Sequence, residues 1–424
     1  MMMKVEVISR EVIKPEISTP HHLRKMRLSS LDQLATSNYV TFILFYSSVK
    51  TPDQLKKSLS ETLNHYYPVA GRIKDSEYLD CNDQGIDFVE SRVNCQLTEF
   101  LEQIKVDELD QFLPCDSLVA EAELSAKTLL AIQVNIFACG GVAIGICISH
   151  KIGDGVSIAM FLNSWAAITR GANLAIPSMS LDLSSYFPMS DSPNIMPSKV
   201  GVQPNFVCRR FIFDASNIAA MRVLSSKVKN PTRVELVSAL IWWRGMAMPT
   251  QGEDNSTKAY AAVHAVNLRQ RMVPPLPEDT FGNLARPTIT RIITAEMGTK
   301  YDDLVGYIRD SIVNVDGDYV RELQCGNEGF MNSIKEVSQP GSNVELIGFN
   351  FNSWCRFPFY EADFGRGTPD WVATTSIPSK NLVILIDTKS GDGIEAWMNM
   401  LEEDMAKLEH DQVFFSFASP KPYI

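Results

Sequence analysis

No apolar run in these 424 residues approaches the roughly 18 that crossing a membrane requires, although hydrophobic residues make up 45% of the chain. No Lys/Arg block interleaved with aromatics occurs, and 39 Lys+Arg stand against 50 Asp+Glu for a formal net charge of −11. Nucleic acid is therefore a poor partner. The eight cysteines form no C-x-x-C pair, several lie inside apolar runs, and reduced thiols are expected. The six histidines show no zinc-type spacing, so no metal site is expected. No G-x-S-x-G elbow offers a serine nucleophile. The segment Val5 to Ile13 mixes charge with β-formers, lacks the long apolar core of a signal peptide, and reads as a strand. These absences point to an ordinary globular protein of the cytosol, without membrane or nucleic-acid partners.

What is present is a long chain with a substantial core. Its length is about twice that of a common domain, which favours two domains. Thr51-Pro52-Asp53-Gln54 and Thr232-Arg233-Val234-Glu235 have capping-box spacing, each followed by apolar residues on one helical face. A third helix is expected from Gly155 to Arg170, stopped by Gly171. Ile394, Trp397, Met398, Leu401, Met405 and Leu408 recur at helical spacing and predict a fourth.

Strand candidates lie between them at Val40–Phe45, Ile86–Glu90, Leu129–Phe137, Val142–Ile148, Phe206–Phe213, Ala259–Val266, Trp371–Thr375 and Leu382–Ile386. Their irregular alternation with helices argues for α/β layers with mixed sheets. Residues 171–205 are rich in Ser, Pro, Asn and Met with little periodicity, and are placed as a connecting loop. The expected division is 1–170, a crossover loop at 171–205, and 206–424.

The segment richest in chemistry is Gly140 to Gly155. An apolar strand bounded by glycines ends at His150, with Gly153 and Gly155 expected to let the backbone turn before the next helix. Asp154 follows His150 by four residues. The pair admits three readings: a satisfied structural histidine, two ligands of a metal, or a general base oriented by a nearby carboxylate. The motif alone leaves them open.

Farther on stands Asp363-Phe364-Gly365-Arg366-Gly367, after Asn352-Ser353-Trp354-Cys355-Arg356. With His150-Lys151-Ile152-Gly153-Asp154, this resembles the plant BAHD acyltransferase family, whose signatures are H-x-x-x-D and D-F-G-W-G in that order. Leu31-Asp32-Gln33, Ala265-Val266-Asn267-Leu268-Arg269, Phe281-Gly282-Asn283 and Gly391-Asp392-Gly393 extend the resemblance over nearly the whole chain, and the look is that of the family's alkaloid acetyltransferases. The departure is Arg366 where the family has Trp.

The resemblance implies two chloramphenicol-acetyltransferase-like domains with a channel between them. It implies a monomer without bound cofactor that uses acyl-CoA, by preference acetyl-CoA, as co-substrate and a small hydroxylated alkaloid or terpenoid as acceptor. A longer or aromatic donor, an amine acceptor, or a non-catalytic member are the alternatives. His150 and Asp154 become the catalytic pair, His150 the general base. Asp154 is expected to pair with Arg269, with Asp363 and Gly365 as structural support. Thr232, Ser238, Ser353 and Arg356 are candidates for the coenzyme side; Asn267 and His264 are candidates for the substrate pocket.

Overall fold

The computed structural model describes residues 3–115, 126–172, 183–189, 205–248, 258–294, 297–326, 345–377 and 379–420. In chain order the first strands are β1 (Val5–Ile13), β2 (Lys25–Arg27), β3 (Tyr39–Tyr46), β4 (Arg72–Lys74), β5 (Tyr78–Asp80), β6 (Ile86–Val93), β7 (Leu130–Phe137) and β8 (Val142–Ser149). They continue with β9 (Phe206–Phe213), β10 (Lys258–Asn267), β11 (Ala285–Ile289), β12 (Ile293–Thr294), β13 (Glu345–Ser353), β14 (Trp371–Ala373), β15 (Leu382–Asp387) and β16 (Ile394–Leu401). The helices used below are α1 (Ser30–Leu34), α2 (Pro52–His65), α3 (Leu97–Glu102), α4 (Gly155–Arg170), α5 (Ala215–Leu224), α6 (Arg233–Met246) and α7 (Tyr301–Val313).

Two mixed sheets carry the two domains. The first has six strands in the order β1-β6-β7-β8-β3-β14, and the second runs β11-β10-β13-β15-β16-β9 with β12 beside β10. Each holds parallel pairs within an antiparallel framework: β6 with β7 in the first, and β10 with β13 and β13 with β15 in the second. Helices α2 and α4 cover the first sheet. Thr51 caps α2, and Leu55, Leu59 and Leu63 are fully buried on its inner face. Each such side chain removed from water contributes roughly 1.5–3 kcal/mol. The second sheet is backed by α6 and α7, with Leu236, Leu240, Leu304 and Ile308 in a separate core.

The division of the chain is less simple than a cut at 171–205. Residues 173–182 and 190–204 of that loop lie outside the described residues. Between them Leu183 and Phe187 are buried with Leu31 of the first domain and Val266, Leu268 and Leu284 of the second. Farther on, β14 leaves the stretch 206–424 and pairs with β3, Trp371 opposite Phe45. Phe359, Ala362 and Phe364 enter the first core with it. The carboxyl-terminal stretch thus lends the first sheet its edge strand.

The helix expected over 394–408 is a strand followed by a helix: β16, then Glu402–Leu408. Ile394, Ala396, Met398 and Met400 face the second core, while Trp397 joins the first. Both faces of the strand are buried, and Trp397 lies between the buried Glu395 and Asn399 on one of them, so its apolar residues are not confined to one side and satisfy helical spacing by chance. Among the described residues no helix is long and apolar enough to cross a membrane.

Candidate active site

His150 follows the last residue of β8, half-buried, with its backbone N–H donated to the Asn38 carbonyl at 3.1 Å. The eight residues of β8 are all buried, so the strand is a rigid post for the imidazole. Gly153 and Gly155 do not adopt the left-handed conformations that a tight glycine turn requires. Gly155 is needed for closeness instead: a Cβ there would stand 2.5 Å from a ring carbon of Phe357.

The imidazole is oriented by an amide. Nδ1 of His150 lies 3.1 Å from Oδ1 of Asn283. Both hydrogens of the Asn283 amide are engaged, one by Asp32 Oδ1 at 2.9 Å and one by the His150 carbonyl at 2.8 Å. Its oxygen must therefore be the atom facing the ring, and as an acceptor it requires the proton on Nδ1. The lone pair is left on Nε2. Asp32 is itself fixed by Ser29, whose N–H and hydroxyl donate to Oδ2 at 2.9 and 2.7 Å. Burial pushes the Asp32 carboxyl above its ordinary pKa, against the hydrogen bonds from Ser29 and Asn283.

Asp154 does not orient the ring: among the described residues no hydrogen bond joins it to His150. It caps α4 by accepting from the Ser157 N–H at 3.1 Å, and it meets Arg269 through Nη1 at 2.7 Å and Nη2 at 3.0 Å. Arg269 is 0% exposed and its other donors reach the Thr280 and Gly282 carbonyls, Asn267 Oδ1 and the Ser157 hydroxyl. The Leu284 N–H adds a further bond to Asp154 at 3.0 Å. Burial raises the Asp154 carboxyl, but the Arg269 charge and these donors outweigh it and hold the group below its ordinary range. The pair binds the turn after β8 to the turn after β10, one from each domain.

The remaining expectations divide. Asp363 accepts the N–H groups of Gly365 and Gly367 at 2.7 and 2.9 Å, and Phe364 is fully buried against Trp165 with ring centroids 4.6 Å apart. Arg366 is exposed. Asn267 is exposed at the end of β10, but its Oδ1 accepts from the Arg269 N–H at 3.0 Å and braces that turn.

His264 does not share a face of β10 with Asn267. It lies three positions from Asn267, so the period of two puts it on the opposite face. There it is buried and stacked on Phe351, ring centroids 4.9 Å apart, with neither ring nitrogen hydrogen-bonded. Burial pushes its pKa down to about 4.

Ser238 is fully buried inside α6, and its hydroxyl has no hydrogen-bond partner among the described residues. Thr232 caps α6, and its neighbour Arg233 pairs with Asp387 at 2.9 Å. The Arg356 N–H reaches the same carboxylate at 2.7 Å, while Ser353 is half-buried at the end of β13. Among the described residues no hydrogen bond joins these four to His150, Asn283 or Asp154.

Asn283, Asp32 and Ser29 received no role from the sequence. Asp32 lies in the family-like segment Leu31-Asp32-Gln33, and Ser29 and Asp32 have capping-box spacing ahead of α1. Asn283 stands in the family-like segment Phe281-Gly282-Asn283, but nothing local shows that it reaches His150 across 133 residues.

Comparison with known proteins agrees over the whole molecule. Residues 3–415 match the model described as the Transferase family. The chain is 38% identical to stemmadenine O-acetyltransferase of Catharanthus roseus, covering 96% of this chain and 97% of that one. It is likewise 38% identical to vinorine synthase of Rauvolfia serpentina, covering 96% of each. The crystal structure of vinorine synthase superposes with a TM-score of 0.85 over 99% of both chains. A protein of F. sporotrichioides solved with coenzyme A shares the fold, with a TM-score of 0.73 at 19% identity.

Proposed function

On the premise that this chain belongs to the Transferase family, the plant BAHD acyltransferases, and is an acyl-CoA-dependent O-acyltransferase, we propose that it carries an acetyl group from acetyl-CoA to a hydroxyl of an alkaloid or terpenoid, with His150 as general base. The observation that carries the base assignment is the Asn283 contact at Nδ1, because it leaves Nε2 as the only proton acceptor of the ring. The acetyl donor and the polycyclic acceptor rest on relatives that are acetyltransferases of such compounds.

An alcohol is a weak nucleophile at neutral pH. Hydrogen-bonded to Nε2, it loses its proton to the imidazole as its oxygen attacks the thioester carbonyl, a role that contributes roughly 10²–10⁴-fold. The new C–O bond converts the carbonyl to an oxyanion. Its collapse breaks the C–S bond, and the thiolate of coenzyme A takes the proton back from Nε2. The imidazolium formed between these steps has its second N–H held by Asn283, so the ring need not turn. Neither an acyl-enzyme nor a metal ion has a step in this scheme. Asp154 and Arg269 serve as a joint that fixes the loop carrying His150 against the second domain.

The test is acyl transfer followed by mass spectrometry, with acetyl-CoA and a panel of polycyclic alkaloid and terpenoid alcohols, wild type beside His150→Ala. One acetyl gain that disappears in a folded His150→Ala protein supports the reading. Product at an undiminished rate in that variant overturns the base assignment, and product only with longer or aromatic donors overturns the acetyl assignment.

A further inference from the structure

Lys151, the residue after His150, is buried at 7% exposure. An ammonium withdrawn from water is costly unless its donors are met. Its Nζ donates to the Gln33 carbonyl at 2.8 Å and reaches the Asp32 carbonyl at 3.5 Å. Both belong to the last turn of α1, the negative end of the helix, and the Asp32 carbonyl also accepts the Ala35 N–H at 3.3 Å.

The same short helix supplies the carboxylate on which Asn283 depends. Asp32 turns its backbone oxygen to Lys151 and its side chain to Ser29 and Asn283. A closed circuit results: Lys151 to α1, Asp32 to Asn283, Asn283 to the imidazole and carbonyl of His150, and one peptide bond back to Lys151. Immediately beyond α1, the Asn38 carbonyl receives the His150 N–H. Without Lys151, α1 would keep its capping box and its link through Asn283 but lose its direct side-chain attachment to the end of β8.

We propose that Lys151 is a positioning residue for acyl transfer: by holding the carbonyls of Asp32 and Gln33 it fixes α1, so that Asp32 keeps Asn283, and thereby the Nδ1–H tautomer of His150, in place. The inference rests on His150 being the base. It predicts an effect on the turnover step with little on coenzyme binding, because Lys151 faces α1.

The test uses the full chain labelled with ¹⁵N-histidine, so that the His150 tautomer is read without turnover, its signals identified by their absence in His150→Ala. Wild type should show the Nδ1–H form, and Lys151→Met should show a population of Nε2–H. With acetyl-CoA and stemmadenine as the probe pair, Lys151→Met should lower kcat by roughly 10-fold, less than the roughly 10²-fold that a misplacement of about 1 Å can cost, with KM for acetyl-CoA unchanged. Lys151→Arg should restore most of the rate.

In an Asn283→Ala background Lys151→Met should cost nothing further, since both act through one contact. Should Lys151→Met fail to fold, Lys151→Gln replaces it in every comparison. A wild-type tautomer and kcat in the folded variant, or losses that multiply in the double variant, overturn the proposal. Full activity in His150→Ala overturns the base assignment instead, while a tautomer change in Lys151→Met would still stand.

Discussion

Asp154 and Arg269 meet through two hydrogen bonds of 2.7 and 3.0 Å, 115 residues apart in the chain and both buried. Every polar atom of the pair has a partner: Asp154 also takes Ser157 and Leu284, and Arg269 also takes Thr280, Gly282 and Asn267. Such satisfaction decides whether a buried ion pair is tolerated. It also gives the motif aspartate four residues from His150 a role that needs no contact with the imidazole.

Removing the negative partner leaves a buried guanidinium uncompensated, which costs roughly 3–5 kcal/mol. Asp154→Leu should fall in that range and Asp154→Asn, which keeps the shape and some hydrogen bonds, at or below its lower end. Urea titration measures both, and a wild-type midpoint for Asp154→Asn would contradict the joint. Because the folded carboxyl titrates below its ordinary value, its stabilisation is complete above the unfolded pKa of about 3.9 and is lost as pH falls through the folded one. The gap between wild type and Asp154→Asn should therefore narrow below pH of about 4.

His264 should prove dispensable for activity. His264→Phe retains the ring against Phe351 and removes two unsatisfied nitrogens, so acyl transfer should remain at the wild-type rate and neutral stability should not fall. The folded pKa of about 4 lies below the unfolded value of about 6.5, so the unfolded chain takes up the proton first as pH falls. The stabilisation present above 6.5 is thus lost as pH falls toward 4. At pH 5 the substitution should recover about 2 kcal/mol relative to neutral pH, read from urea midpoints at the two values. A large loss of kcat would return His264 to the pocket.

The loop Asp363–Gly367 offers a contrast between neighbours. Gly365 has φ +89°, and a Cβ there would stand 2.6 Å from Lys50 Cε, so Gly365→Ala should destabilise by roughly 1–2 kcal/mol. Arg366 is exposed, and Arg366→Ala should change stability by no more than about 0.5 kcal/mol. Thermal unfolding distinguishes them. Equal losses would mean that Arg366 packs as the family tryptophan would. A raised KM for acetyl-CoA in Arg366→Ala at unchanged stability would identify it as a coenzyme contact.

Residues close in sequence already determined much of the molecule. The capping boxes at Thr51 and Thr232, the glycine after Arg170 and the apolar strand ending at His150 each act over a few residues, and each formed as its local chemistry requires. The order of the two motifs was likewise visible along the chain. Tertiary structure alone decided the rest. Ile394 to Leu401 became a strand because cores lie on both of its faces, and Trp371 crossed to the first sheet because an edge beside β3 was open. His264 and Asn267 separated because β10 alternates sides. Asn283 and Asp32 converge on the His150–Lys151 pair from two distant parts of the chain, and no local spacing encodes such a meeting. Local order along the chain singled out His150 beside Asp154; the packing of two domains set Asn283 against Nδ1 and left Nε2 as the open nitrogen of the ring.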